Sequence, residues 1–218
     1  MIRDLILVPT DSERRVVEPL LRVAPADQIA LCGFGVVAAA ARAAMLVAGA
    51  RPRRVVLVGI AGRLSDKLPL GGAALFTEVV CDGIGVGAGA THLPAARIGW
   101  PQWPGEPGPP PSAPIGDAIT LAPVELTRAP AGGLLLTVAA GSATGAEAAF
   151  RRSAHPTATA EDMEGFAVAL ACTLAAVPCT IVRGIANDAG DRDHARWQSR
   201  LALESAAALV NSLLTIDR

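Results

Sequence analysis

Tyrosine is absent from this 218-residue chain, and phenylalanine and tryptophan bring the aromatic share to only 3%. The core must be filled by Ala, Val and Leu, which suits helices packed closely on a sheet. No apolar run approaches the roughly 20 residues that cross a bilayer. The longest candidate, GGLLLTVAAGSATGAEAAF, is broken by glycines and a threonine, so the hydrophobic share of 51% belongs to a core and not to a membrane. There is no basic block and the formal net charge is -1, which argues against nucleic acid as a partner. The four cysteines, Cys32, Cys81, Cys172 and Cys179, form no C-x-x-C pair and sit among apolar neighbours. That is the pattern of small core side chains in a reducing compartment. The opening MIRDLILVPT carries an acid and no cleavage-like tail, so a first strand is expected there and a signal peptide is not. The expectation is one cytoplasmic domain over residues 1–218.

What is present alternates. LILVP, QIALCGFG, RRVVLVGIAG, AALFTEVVCD, GLLLTVAA and PCTIVRGIA read as buried strands. Between them, SERRVVEPLL, VVAAAARAAMLVAGA (closed by Gly49), ATGAEAAFRRS and DMEGFAVALACTLAA have helical character, and DHARWQSRLALESAAALVNSLL forms a long closing helix. Strands alternating with helices predict a mainly parallel α/β sheet covered on both faces, with ligands beyond the carboxyl ends of the strands. From Gly83 to about Pro130 the pattern dissolves, and a proline-rich loop is expected at about 98–116.

Two motifs invite cofactor or metal chemistry. GFGVVA, Gly33 to Ala38, fits the G-x-G-x-x-A turn of dinucleotide-binding proteins, between a strand and a helix. It follows the second strand and not the first, and the acid expected about 20 residues on is missing. A tight strand-to-helix turn accounts for both glycines, and no cofactor is expected. The run NDAGDRD offers Asp188, Asp191 and Asp193 at short spacing but lacks the calcium-loop pattern and its final glutamate. Asp191 or Asp193 is expected to cap the closing helix, with Arg192 answering the local negative charge. His92, His155 and His194 fit no ligand spacing. No metal is expected.

Polar residues gather instead at strand ends and helix starts: Glu13, Glu164, Arg183 and Asn187 with Asp188. Singly, each has a local use, as a first-turn acid, an ion-pair partner or a turn former. Together they fall at the same end of the expected sheet.

EDMEGFAVALA followed by PCTIVRGIAND resembles the purine nucleoside phosphorylase and nucleosidase superfamily, in which a Met-Glu pair opens a helix and an R-x-I-[SA]-[DN] segment follows the next strand. VPTDSER, VGIAG and RGIANDAGDRDHARW look like a hydrolytic branch of it. The likeness spans nearly the whole chain and is weakest from Gly83 to Pro130. It implies a three-layer α/β/α fold with a mixed, mainly parallel central sheet, cleavage of an N-glycosidic bond, and a homodimer or larger homo-oligomer acting on a small nucleoside.

The resemblance also implies roles. Glu164 would hold ribose hydroxyls with the backbone of Met163. Glu13 would orient and deprotonate water, with Arg183 nearby, and Asn187 would face the purine. Gly141, Ser142 and the residues to Thr144 would line the base pocket. Ile60 stands where methylthioadenosine nucleosidases usually carry a serine near the ribose, which counts against a thioether substrate. Chemistry supports the division. A cleaving nucleoside develops positive charge on the sugar and negative charge on the base, so a carboxylate belongs beside one and a polar group beside the other. A neutral amide at 187 is expected to donate to O6 and N7 of hypoxanthine. The proline-rich loop has no counterpart in the family and is expected to cover the site or the dimer face and to contact the substrate's far end.

Overall fold

The computed structural model describes residues 3–107, 113–124 and 131–216. The apolar run at the start forms β1 (Asp4–Val8), every residue of it buried. Pro9 ends the strand, and Thr10 caps α1 (Asp11–Val17) with a reciprocal capping box to Glu13. β2 (Gln28–Leu31) leads into α2 (Gly35–Ala50). Gly49 does not close that helix. Arg51 does, taking the left-handed conformation at φ 47°, while Gly49 remains helical.

β3 (Arg54–Arg63) and β4 (Ala73–Asp82) follow. The stretch expected to be patternless holds a small hairpin of β5 (Gly85–Val86) and β6 (Leu93–Pro94), then β7 (Ala118–Thr120), which pairs with β4. Within the proline-rich loop, Trp103 and Ile115 bridge backbone to backbone and Trp103 packs on the core. Residues 108–112 of that loop lie outside the described residues.

β8 (Ala131–Val138) and α3 (Gly145–Ala154) precede β9 (Ala158–Asp162), a strand that the sequence pattern did not announce. α4 (Gly165–Leu174), β10 (Cys179–Asp188) and α5 (Ser199–Ile216) complete the chain. α5 starts later than expected. Asp193 caps a separate short 3-10 turn, His194–Arg196, and Arg196, not Arg192, answers Asp191 and Asp193.

Alternate side chains of the strands fill different layers. Leu5, Leu7, Val55 and Leu57 meet Ala39, Ala43 and Val47 of α2 and the apolar α4. Ile6, Val8, Val56 and Val58 meet Leu203, Val210 and Leu214 of α5 on the other face. The result is three layers around a mixed, mainly parallel sheet in the order β10-β4-β8-β9-β3-β1-β2. One pairing was not foreseen. β10 also runs parallel to β3, so β10, β4, β8, β9 and β3 close into a ring. β3 pairs with β1 through its first residues and with β9 through Gly62 and Arg63. Gly184 permits α5 to lie against β10, since a Cβ there would collide with the carbonyl of Ala202. The four cysteines are free and buried. Among the described residues no helix is long and apolar enough to cross a membrane.

Candidate active site

A cavity of about 350 Å³ opens beyond the ends of β1, β3, β8, β9 and β10. Glu13 reaches its wall from the first turn of α1 and is only 7% exposed. Its Oε1 accepts from the amide of Ile60 at 2.9 Å, and its Oε2 accepts from the amide and hydroxyl of Thr10 at 3.0 and 2.5 Å. The residue therefore caps its own helix and is clamped by β3.

Glu164 is the N-cap residue of α4, but its side chain makes no cap bond. Oε1 accepts from the amide of Gly35 at 2.9 Å and Oε2 from Nη2 of Arg183 at 3.1 Å. The glycine turn of GFGVVA therefore spends an amide on this acid, which answers the dinucleotide motif. Burial pushes the Glu164 carboxyl up to about 7; Arg183 opposes the rise, while Asp162 and Glu13 add to it.

Arg183 is fully buried and is not on the cavity wall. It stands behind Glu164, with Nε and Nη2 donating to Oδ2 of Asp162 at 3.0 and 2.6 Å. Burial works against its charge, but Asp162, Glu164 and Glu13 outweigh that and hold its pKa above the ordinary arginine value. Its Nη1 has no hydrogen-bond partner. Gly59 makes room for this group. A Cβ there would collide with Nη1 of Arg183 and lie 2.7 Å from Oε1 of Glu13. Arg183 thus stands between the two glutamates, behind the cavity wall.

Asn187 lines the cavity where a bulge between Ile185 and Asn187 shifts the register of β10 on β3. Its Nδ2 donates to the carbonyls of Asp188 at 2.8 Å and Asp191 at 3.3 Å. Carbonyls only accept, so both amide hydrogens are committed and Oδ1, beside Gly62, is the atom left over. In this arrangement the side chain offers an acceptor, where donation to O6 and N7 was expected. Asp188 turns away and pairs with Arg63 at 2.5 Å.

Ile60, Met163, Gly141 and Ser142 also line the cavity, whereas Thr144 and the described residues of the proline-rich loop do not. Sequence reasoning missed the support beneath Ser142. Glu161 accepts from its amide at 2.7 Å and its hydroxyl at 2.8 Å, and Arg151 donates to both Ser142 Oγ and Glu161 at 2.7 Å. Asp162, at the end of β9, is the main partner of Arg183. Phe34, Arg192, His194 and Trp197 also line the cavity, and no residue pattern marked them for it.

With this geometry in place, the profile described as the phosphorylase superfamily matches residues 28–215, and the chain belongs to that superfamily. Two relatives narrow the likeness. The chain is 33% identical to a futalosine hydrolase of Streptomyces coelicolor over 168 residues, 74% of this chain. It is 32% identical to a futalosine hydrolase of Thermus thermophilus over 193 residues, 84% of this chain and 78% of that one. The match spans 65% of the Streptomyces protein. Among solved structures, futalosine hydrolase of Helicobacter pylori superposes with a TM-score of 0.74 at 16% identity, covering 97% of both chains. A methylthioadenosine/S-adenosylhomocysteine nucleosidase of Neisseria meningitidis superposes at 0.75, also 16% identical, covering 99% of this chain and 100% of that one. At such identities the structures speak for the fold alone.

Proposed function

We propose that this chain is a single-domain nucleosidase that hydrolyses the N-glycosidic bond of futalosine, releasing hypoxanthine and dehypoxanthine futalosine for menaquinone biosynthesis in the cytoplasm. The observation that carries this is convergence: Glu13 from α1, Glu164 from α4 and Asn187 from β10 face one cavity. Glu13 holds and deprotonates the water. Glu164 and the backbone of Met163 hold the ribose, and the carboxylate stabilises positive charge developing on the sugar. Asn187 accepts from an N–H of the base, either N1–H of a 6-oxopurine or the N7–H carried by a base leaving in neutral form.

A phosphate nucleophile would want several cations and amides. Among the described residues Arg192 is the one arginine on the wall, while Arg14 and Arg15 pair with Asp11 outside it. Water is therefore the nucleophile. A second reading has one observation in its favour: an acceptor at 187 also suits the exocyclic amine of a 6-aminopurine, as in methylthioadenosine or aminodeoxyfutalosine. The chain works as a homodimer or larger homo-oligomer, a reading supported by large apolar side chains exposed on α2 and just before it, with Val37 81%, Met45 66% and Phe34 65% exposed.

Incubation with futalosine, inosine and methylthioadenosine, with and without phosphate, tests the function. Hypoxanthine should appear from futalosine at a rate indifferent to phosphate. Phosphate-dependent release, or adenine from the thioether as the faster reaction, overturns it.

Glu164 gives a second test. Its folded pKa lies above the unfolded value, so its contribution to stability is fully present below about 4.5 and is lost as pH rises through about 7. The difference is on the order of 3 kcal/mol. Ribose binding uses the ionised form, so kcat/KM should climb with pH to an inflection near 7. Glu164→Gln should remove that slope from the denaturation midpoint. A parent protein with flat stability from pH 5 to 8 refutes the assignment.

A further inference from the structure

The wall that carries Ser142 is held from behind by an arginine that does not reach the cavity. Arg151, in the last turn of α3, is mostly buried and is not among the lining residues. Its Nη1 donates to Ser142 Oγ and Glu161 Oε2, each at 2.7 Å, and its Nη2 donates to the carbonyl of Ala140 at 2.5 Å. Asp82, at the end of β4, faces the same guanidinium at 3.9 Å and is itself paired with His155 at 3.3 Å. Every amide from Ser142 to Thr144 is spent on an acid of the protein. That of Ser142 goes to Glu161 at 2.7 Å, and those of Ala143 and Thr144 go to Glu147 at 2.6 and 3.2 Å.

This clamped segment lies against the loop that follows β10. Gly190 takes the left-handed conformation at φ 89°, and a Cβ there would collide with the backbone of Thr144. The next residue, Asp191, supplies one of the two carbonyls that fix Nδ2 of Asn187. A relay of contacts therefore leads from Arg151 through Ser142–Thr144 and Gly190 to the amide of Asn187. The sugar side is held by other groups: Glu13 by Thr10 and Ile60, Glu164 by Gly35 and Arg183. The geometry points to Arg151 as a positioning residue for the base side of the cavity. Without touching the substrate, it fixes the direction in which Asn187 presents Oδ1 and so the grip on the purine. Its planar fork spans a hydroxyl, a carboxylate and a carbonyl at once, which a lysine ammonium cannot reproduce. This rests on the nucleosidase reading of the cavity.

The test compares the parent with Arg151→Met, Arg151→Lys and Gly190→Ala, and with Arg54→Met, which removes an ion pair to Asp4 at the far end of β1. Calorimetry gives Kd for hypoxanthine, release of hypoxanthine from futalosine gives kcat and KM, and Tm reports stability. In Arg151→Met both Kd and KM should rise about tenfold, the weight of a charge-assisted hydrogen bond, while kcat stays nearly unchanged. Arg151→Lys should recover part of the loss. Gly190→Ala should weaken hypoxanthine with the Arg151 contacts intact, and combined with Arg151→Met it should give less than the product of the two effects. Arg54→Met should lower Tm and leave Kd and KM at the parent's values. A folded Arg151→Met that keeps the parent's Kd and KM overturns the assignment, as does an equal rise in Arg54→Met or a loss in kcat alone. Should Arg151→Met not fold, unchanged Kd and KM in both Arg151→Lys and Gly190→Ala overturn it. The expected pattern in Kd without release from futalosine supports the assignment and overturns the nucleosidase. A parent that neither binds nor releases hypoxanthine overturns both.

Discussion

Glu13→Gln should slow release of hypoxanthine by about a hundred- to ten-thousandfold in kcat, the range contributed by a positioned general base. The environment makes this isosteric change severe. Both carboxylate oxygens accept from fixed donors, Ile60 N–H on one side and Thr10 N–H and O–H on the other. An amide nitrogen turned to either backbone N–H sets donor against donor, so the side chain must leave its seat and the water loses both base and anchor. The same change breaks the reciprocal cap of α1, a loss of about 1 kcal/mol visible as a small fall in Tm. Steady-state rates paired with calorimetric Kd values separate the two effects. A variant retaining more than about a tenth of the parent's kcat, with its Kd unchanged, excludes Glu13 as the base.

Arg183→Met should cost about 3–5 kcal/mol at pH 8, the penalty for stripping one partner from a buried ion pair. The methionine fills similar space but leaves Asp162 and Glu164 facing each other in a dry pocket. Asp162 keeps the hydroxyl of Thr137 at 2.6 Å and the amide of Gly165 at 2.9 Å; Glu164 keeps only Gly35. Without the cation Glu164 binds its proton more tightly when folded, so the variant's stability declines more steeply as pH rises. Its deficit against the parent should therefore be smaller at pH 5 than at pH 8. Denaturant titrations at both values check this. A deficit below about 1 kcal/mol at pH 8, or one that grows on acidification, shows that Arg183 does not organise the two acids.

Much of this was legible in the residues. LILV, RVVLV and CTIV announce strands because two-sided burial demands continuous β-branched and aliphatic runs. Glu13, Glu164 and Asn187 could be grouped because each sits at the end of such an element. β9 stayed hidden because its buried side chains are alanines, a threonine and two acids, so no apolar signal marks it. The acids of that strand, Glu161 and Asp162, hold Ser142 and Arg183 in place. Arg183 was visible as a charge near a strand end, but its complete burial depends on Asp162, which belongs to another strand. The direction in which Asn187 presents its amide depends on a bulge and two backbone carbonyls, information carried by geometry and not by residue type. Closure of the sheet through β10 and β3 is likewise a matter of register between distant segments.

The bond from Gly35 to Glu164 has a mechanical consequence. Gly35 is the first residue of α2, a helix with Val37 and Met45 exposed on its outer surface, and its amide grips the acid assigned to the sugar. Nudging the helix along its axis loosens or tightens the grip, and with it the proton affinity of the carboxyl. The placement of α2 and the acidity of Glu164 are thus geared together.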